Sequence, residues 1–295
     1  MLAQVSLTVA EAKLLIARAI AALPEVRAAL ESGSILLKGG STVSAVAEEL
    51  VGHPLKISGR VSPRGTRSTL ATSPSSPHCM LIHRGEWRNV DGELATVVPS
   101  LGPRDVVVLG ANLIDSRGGA AMMAGMALGG NPGQVMAGLM AQGVPVLIAA
   151  GLEKLTPGTV ADAIRHAGMA RPDWSLGLAV GLVPIVGRLI TEIEALQVLA
   201  GVTPTVIGRG GIDGAEGGTT MVVEGEADAV QRAIDAVLGV KGARTSGSPD
   251  SWPECRGGSE KCRSHRVCVW KQWGKKGWGK WETPSGPAPA GAEFR

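Results

Sequence analysis

The chain of 295 residues is 44% hydrophobic, enough for a substantial core, which excludes a wholly disordered protein. Its 42 glycines, one Phe and no Tyr require a core packed from Ala, Val, Leu, Ile and Met, which suits layered α/β packing. The net charge of +3 belongs to the C-terminus: residues 245–295 carry 9 of 29 Lys/Arg and 5 of 26 Asp/Glu, leaving 20 basic against 21 acidic residues and a charge of −1, which argues against nucleic-acid binding by the body.

Thr8 with Glu11 forms a capping-box pattern, and Leu14, Leu15, Ala17, Ala21 and Leu23 give helical apolar spacing up to Pro24, so the chain is expected to open with an amphipathic helix. Glu11, Lys13 and Arg18 interrupt any secretory core. With Cys79 the only cysteine before residue 245, the expected location is cytoplasmic.

Ser34–Lys38 reads as a compact apolar strand, followed by the loop Gly39-Gly40-Ser41-Thr42 and a helix over Val43–Leu50. Residues 52–77 are rich in Gly, Pro, Ser and Arg. Met80–His83 and Trp87–Val90 flank Arg84-Gly85-Glu86 as a hairpin decorating the main sheet.

Asp105–Leu109 is a strand of the buried parallel type, with the loop Gly110-Ala111-Asn112 and a glycine-rich helix expected from about Gly119. Residues 120–151 carry no charge, but eight Gly and Pro positions from Gly125 to Pro145 break the run, so no membrane span is expected. Val144–Ala149 forms another buried strand, and Ala150–Lys154 a third loop that can converge with the first two.

Beyond residue 180, a strand at Leu182–Val186, a helix over about Arg188–Leu199, strands at Thr205–Ile207 and Thr219–Glu224 and a helix over Ala227–Leu238 resemble a split βαβ unit. From Thr245, Trp252, Trp270, Trp273, Trp278 and Trp281 stand among Gly, Lys, Pro and Ser without apolar period. The expected fold is therefore α/β, a three-layer Rossmann-like mostly parallel sheet over residues 1–180, with a small α+β, ferredoxin-like subdomain over 181–244 and a disordered tail over 245–295.

The stretch from Gly33 to Leu50, with its Gly-Ser-Thr element before a helix, resembles the first loop of the superfamily of ribose-5-phosphate isomerase, glucosamine-6-phosphate deaminase and CoA transferases. Asp105–Asp115 is similar to the second signature loop, and Pro145–Lys154 to the following strand with its lysine, so the resemblance covers roughly residues 5–240. It implies a phosphorylated-metabolite ligand and an aldose–ketose isomerase-like activity. Sugar isomerases of that superfamily usually carry Asp where this chain has Asn112, and an amide cannot take a proton from carbon.

Glycines 39 and 40 let the backbone approach a ligand, and Ser41 and Thr42 add hydroxyls beside a helix N-terminus, an arrangement that favours phosphate or carboxylate. The same four residues also read as a tight turn with a helix cap. Lys38 and Lys154, at the ends of the first and third of these strands, are further candidate ligand contacts, and Lys154 reads equally as a surface residue. Arg60, Arg64 and Arg67 could aim guanidinium groups at an anion or form a solvated surface. Asn112, Asp115 and Arg117 lie beside a helix start, where Asp115 is either the general base or a cap.

Glu216, among glycines, offers a nucleophilic carboxylate of the CoA-transferase kind, against the simpler reading of a mobile loop. His53, His78, His83 and His166 share no metal-ligand spacing, so no metal site is expected in the body and no cofactor is implied. Cys255, Cys262, His265 and Cys268 could hold zinc, although the first gap departs from pairwise spacing. The Trp/Lys run of 270–281 could stack on single-stranded nucleic acid or a membrane surface, or be a non-physiological extension. The expected partner is a small-molecule anion, with the apolar helix of 119–142 available to a homodimer. A noncatalytic metabolite sensor is the alternative to an enzyme.

Overall fold

A computed structural model describes residues 1–68, 75–253, 265 and 267–272. The elements in order are β1 (Leu2–Leu7), α1 (Val9–Ala22), α2 (Pro24–Ser32), β2 (Ser34–Lys38), α3 (Ser41–Val51), β3 (Gly59–Ser62), β4 (Gly65–Ser68), β5 (Cys79–His83), β6 (Glu86–Asn89), α4 (Leu94–Ser100) and β7 (Val106–Gly110). They continue with β8 (Leu113–Ile114), β9 (Ala120–Ala124), α5 (Gly130–Gln142), β10 (Val146–Ala149), α6 (Val160–His166), β11 (Gly181–Ile185), β12 (Arg188–Ile190), α7 (Glu192–Ala200), β13 (Thr203–Gly210), β14 (Gly218–Glu224) and α8 (Ala227–Leu238).

The protein is a mixed α/β fold organised on a six-stranded sheet of order β12-β10-β7-β2-β5-β6. β12, β10, β7 and β2 run parallel, while β5 and β6 add antiparallel strands beyond β2. The hairpin β5–β6 turns through Arg84 and Gly85, both at positive φ (52° and 79°), a turn that follows the strand twist.

Why the parallel strands are apolar at nearly every position follows from their two faces. Ile35, Leu37, Val106, Val108, Leu147 and Ala149 join one buried cluster with α1, α2 and α3, while Leu36, Val107, Leu109, Val146 and Ile148 join a second with residues of α4 and α5. Alternate side chains point to opposite faces, so a strand covered on both has no polar side. Burying each such Val, Leu or Ile contributes roughly 1.5–3 kcal/mol.

The structure departs from the sequence expectation at four places. Ala120–Ala124 forms β9, paired antiparallel to β8 and β11, and the helix begins only at Gly130. Ala and Met favour a helix in isolation, but strand pairing across this small sheet prevails over that weak preference.

The chain opens with a strand, β1, which pairs antiparallel with β14 far along the sequence, so the small sheet β1-β14-β13 is completed by the N-terminus. The Thr8–Glu11 capping box then starts α1 as expected. Residues 188–190 are not helical but form the edge strand β12 of the main sheet, and Thr191 caps α7 after it.

Residues 245–253, expected from composition to be disordered, pack against the body. Ser246 Oγ donates to Ser44 Oγ (2.6 Å), Ser248 N–H to the Leu55 carbonyl (2.9 Å), and Ser251 Oγ accepts from Ile57 N–H (2.9 Å). Of the zinc-ligand set, Cys255 and Cys262 lie outside the described residues, as does most of the Trp/Lys run. Among the described residues no helix is long and apolar enough to cross a membrane.

Candidate functional site

The C-terminal ends of the parallel strands β2, β7 and β10 open on a cavity of about 710 Å³. Its floor is the β2–α3 connection. Gly39 lies against His78: a Cβ at Gly39 would fall 2.5 Å from His78 Nδ1 and 2.7 Å from its carbonyl oxygen, so only glycine fits. At Gly40 a Cβ would meet nothing within 4 Å, and its φ of 170° is ordinary extended backbone. Neither packing nor backbone requires the second glycine, and a side chain there would project into open space.

α3 starts directly after Gly40 with no side-chain cap, leaving its first-turn amides facing the cavity end of the helix. Thr42, 1% exposed, lines the cavity, and its Oγ1 is buried without a hydrogen-bond partner among the described residues. Lys38, 5% exposed, also lines it and has no carboxylate partner or hydrogen bond among the described residues; burial lowers its pKa. An unsatisfied hydroxyl and an unpaired ammonium are each costly to bury, and both sit beside a helix N-terminus whose partial charge is positive.

His78 is held neutral. Burial, and then the charge of Lys38, push its pKa down to about 3. Its Nδ1 lies 2.9 Å from the Lys56 carbonyl, which only accepts, so Nδ1 carries the hydrogen and Nε2 faces Ser58 Oγ at 3.1 Å. Asp91 fixes the same corner by accepting from the backbone N–H of His78 (2.9 Å) and Cys79 (2.6 Å).

One wall is the hairpin β3–β4, which is fastened by Thr66 N–H to the Leu176 carbonyl (3.2 Å) and by Leu178 N–H to the Thr66 carbonyl (2.7 Å). Arg60 and Arg67 of this hairpin line the cavity, and both donate to backbone carbonyls of the C-terminal segment, Arg60 to Trp252 and Arg67 to Pro253. Arg64 does not line it; its guanidinium stacks 3.9 Å from the Trp270 ring centroid.

The β10 end of the cavity carries a charged group of four. Lys13 of α1, with Glu153 and Lys154 of the turn after β10, lines the cavity, and Glu192 at the start of α7 stands behind them. Glu153 Oε1 lies 3.9 Å from Lys13 Nζ and 4.0 Å from Lys154 Nζ, and neither of its oxygens has a hydrogen bond among the described residues. Burial brings Lys154 down to about 8 and, despite the amide of Leu152 donating to it (2.8 Å), raises Glu192 to about 7. A Cβ at Gly151 would fall 2.1 Å from Glu153 Oε2 and 3.3 Å from Glu192 Oε1, so the two carboxylates close over one glycine.

Of the residues singled out in the sequence, Lys38, Gly39, Gly40, Ser41, Thr42, Arg60, Arg67, Asn112 and Lys154 line this one cavity, while Arg64, Asp115 and Arg117 do not. Asn112 Oδ1 is committed to Met123 N–H (2.9 Å). The Asp115 carboxylate accepts from the amides of Val160 (2.8 Å), Gly119 (2.8 Å) and Arg117 (2.9 Å), bonds that hold its pKa below the usual carboxylate range. That is the setting of a loop organiser, not of a base. Glu216 is exposed in the β13–β14 connection and does not line the cavity. Lys13, His78, Asp91, Glu153 and Glu192 were not anticipated as a group.

No protein-family model matches the chain, and no curated protein matches it in sequence.

Proposed function

We propose that the cavity binds a small phosphorylated metabolite, or another anion of that shape, at the N-terminus of α3. One observation carries this reading: the partnerless Thr42 hydroxyl and the unpaired Lys38 ammonium, both buried, flank the start of a helix at an open cavity. An anion there would accept from the first-turn amides, from Thr42 Oγ1 and from Lys38 Nζ, relieving both desolvated donors at once. Arg60 and Arg67 of the β3–β4 hairpin add positive charge to the cavity lining. The open space at Gly40 is the room such a ligand needs.

The reading extends to kinship and architecture. The cradle after β2, the loop after β7 and the lysine after β10 succeed one another as in the superfamily of ribose-5-phosphate isomerase, glucosamine-6-phosphate deaminase and CoA transferases, and we assign the chain to its relatives on that ground. A three-layer Rossmann-like arrangement is the corresponding architecture, supported by four parallel strands with an apolar cluster on each face. With Asp115 committed to three amides, isomerase chemistry at that residue is not part of the proposal.

Thermal unfolding of the full chain against inorganic phosphate, pyrophosphate and a series of sugar phosphates tests the reading, since a ligand of the native state raises the midpoint. Phosphate esters are expected to raise it and their dephosphorylated counterparts to leave it unchanged. Equal effects of both would refute the anion site.

A further inference from the structure

The β10 end of the cavity does not suit a second phosphate, because Glu153 places a carboxylate within 4.0 Å of both ammonium groups that line it there. Its geometry suits a different chemistry. Lys154 Nζ has no hydrogen-bond partner among the described residues, its nearest carboxylate oxygen is 4.0 Å away, and its side chain is only 22% exposed at the cavity wall.

Resting on the phosphate-binding reading, we infer that Lys154 is a nucleophilic amine that forms a Schiff base with the carbonyl carbon of a phosphorylated aldehyde or ketone held in the cavity. A lysine acts this way when burial or a neighbouring cation favours its neutral form. Burial lowers the Lys154 pKa to about 8; the Lys13 charge acts in the same direction but is outweighed by the opposing Glu153 carboxylate, so burial carries the shift.

The step balances without a further reagent. The Nζ lone pair attacks the carbonyl carbon, a C–N bond forms and the C–O π bond breaks, giving a carbinolamine. The two amine hydrogens leave with the carbonyl oxygen as water, leaving the imine. Glu153, whose two oxygens carry no hydrogen bond among the described residues, is the cavity-lining carboxylate that relays the proton from nitrogen to the departing oxygen. Glu192, raised to about 7 by burial, is the adjacent reservoir for it.

The test is reductive trapping on the full-length protein with glycolaldehyde phosphate and borohydride, read by peptide mass mapping. A single reduced adduct on Lys154, suppressed by excess inorganic phosphate and rising with pH as the amine deprotonates near pH 8, is expected. Unphosphorylated glycolaldehyde should label this lysine at least tenfold less. An adduct on Lys38 or Lys13 in place of Lys154, or labelling scattered over surface lysines and indifferent to phosphate, would overturn the assignment. Absence of the Lys154 adduct while phosphate esters still raise the unfolding midpoint would overturn the Schiff-base step alone. Absence of both would remove the anion site with it.

Discussion

The ammonium of Lys56 and the carboxylate of Asp250 stand 2.5 Å apart, joining the segment before the arginine hairpin to the C-terminal stretch that its arginines grip. Lys56 is 4% exposed, so removing its partner leaves a buried ammonium unpaired. Asp250→Asn is expected to cost on the order of 2 kcal/mol in urea unfolding at neutral pH. Ending the chain at residue 244 should cost more, since Ser246, Ser248 and Ser251 leave as well.

Acid should act through the same pair. Burial pushes the Asp250 carboxyl up, but hydrogen bonds from Lys56, Ser248 and Ser76 outweigh it and hold the group at about 2, below its ordinary 3.8. A depressed carboxyl contributes stability above its unfolded pKa and loses it as pH falls through the folded one. The Asp250-dependent difference between wild type and Asp250→Asn is therefore expected to shrink between pH 3.8 and about 2, followed by circular dichroism.

Adjacent glycines should separate stability from binding. Gly39→Ala drives a methyl group into His78, including its backbone carbonyl, and overpacking of this kind costs about 1–3 kcal/mol. Gly40→Ala meets no atom within 4 Å. Its unfolding midpoint should stay near wild type while affinity for phosphate esters falls. A comparable loss of stability in both variants would contradict the described contacts.

Glu192 gives a pH dependence of opposite sign. Burial raises its pKa from 4.5 to about 7, so its contribution to stability is fully present below pH 4.5 and is lost as pH rises to about 7. Glu192→Gln keeps an oxygen for the Leu152 amide. The variant should therefore gain on wild type across that interval, measured as the difference in urea midpoint at successive pH values. A difference independent of pH would show that Glu192 titrates normally.

Asp115 offers a direct choice between loop and chemistry. Asn at this position replaces one acceptor oxygen with a donor, so one of the three amides loses its bond, at a cost of about 1–3 kcal/mol. Phosphate-ester binding by Asp115→Asn should match wild type once measured below the lowered midpoint. A loss of binding with stability intact would instead place Asp115 in the site.

The first part of the site was legible because its signals are local. Lys38 to Thr42 sit between an apolar strand and a helical period, and glycine marks where the backbone must come close, as it does at Gly39 against His78. Lys13 and Glu192 carried no such mark. A lysine in an amphipathic helix and an acid just after a cap read as surface residues, and only the packing of α1 and α7 brings them beside Glu153. The same limit hid β1, whose partner β14 is more than 200 residues away, and β9, whose Ala and Met residues favour a helix until β11 pairs with them. In the C-terminal stretch, Ser, Pro and Gly suggested disorder, whereas there Ser251 Oγ accepts from the Ile57 amide, Ser246 Oγ donates to the Ser44 hydroxyl, and the Ser248 backbone N–H donates to the Leu55 carbonyl.

The most direct measurement is calorimetric titration of pyrophosphate into wild type and Thr42→Val, with the unfolding midpoint of each. The substitution conserves shape and removes a hydroxyl that has no partner among the described residues. If that hydroxyl serves an anion, Thr42→Val is as stable as wild type or more so and binds roughly 10- to 100-fold more weakly, the value of one hydrogen bond to a charged group. Unchanged affinity in the variant, or no binding heat in wild type at millimolar pyrophosphate, would contradict the account.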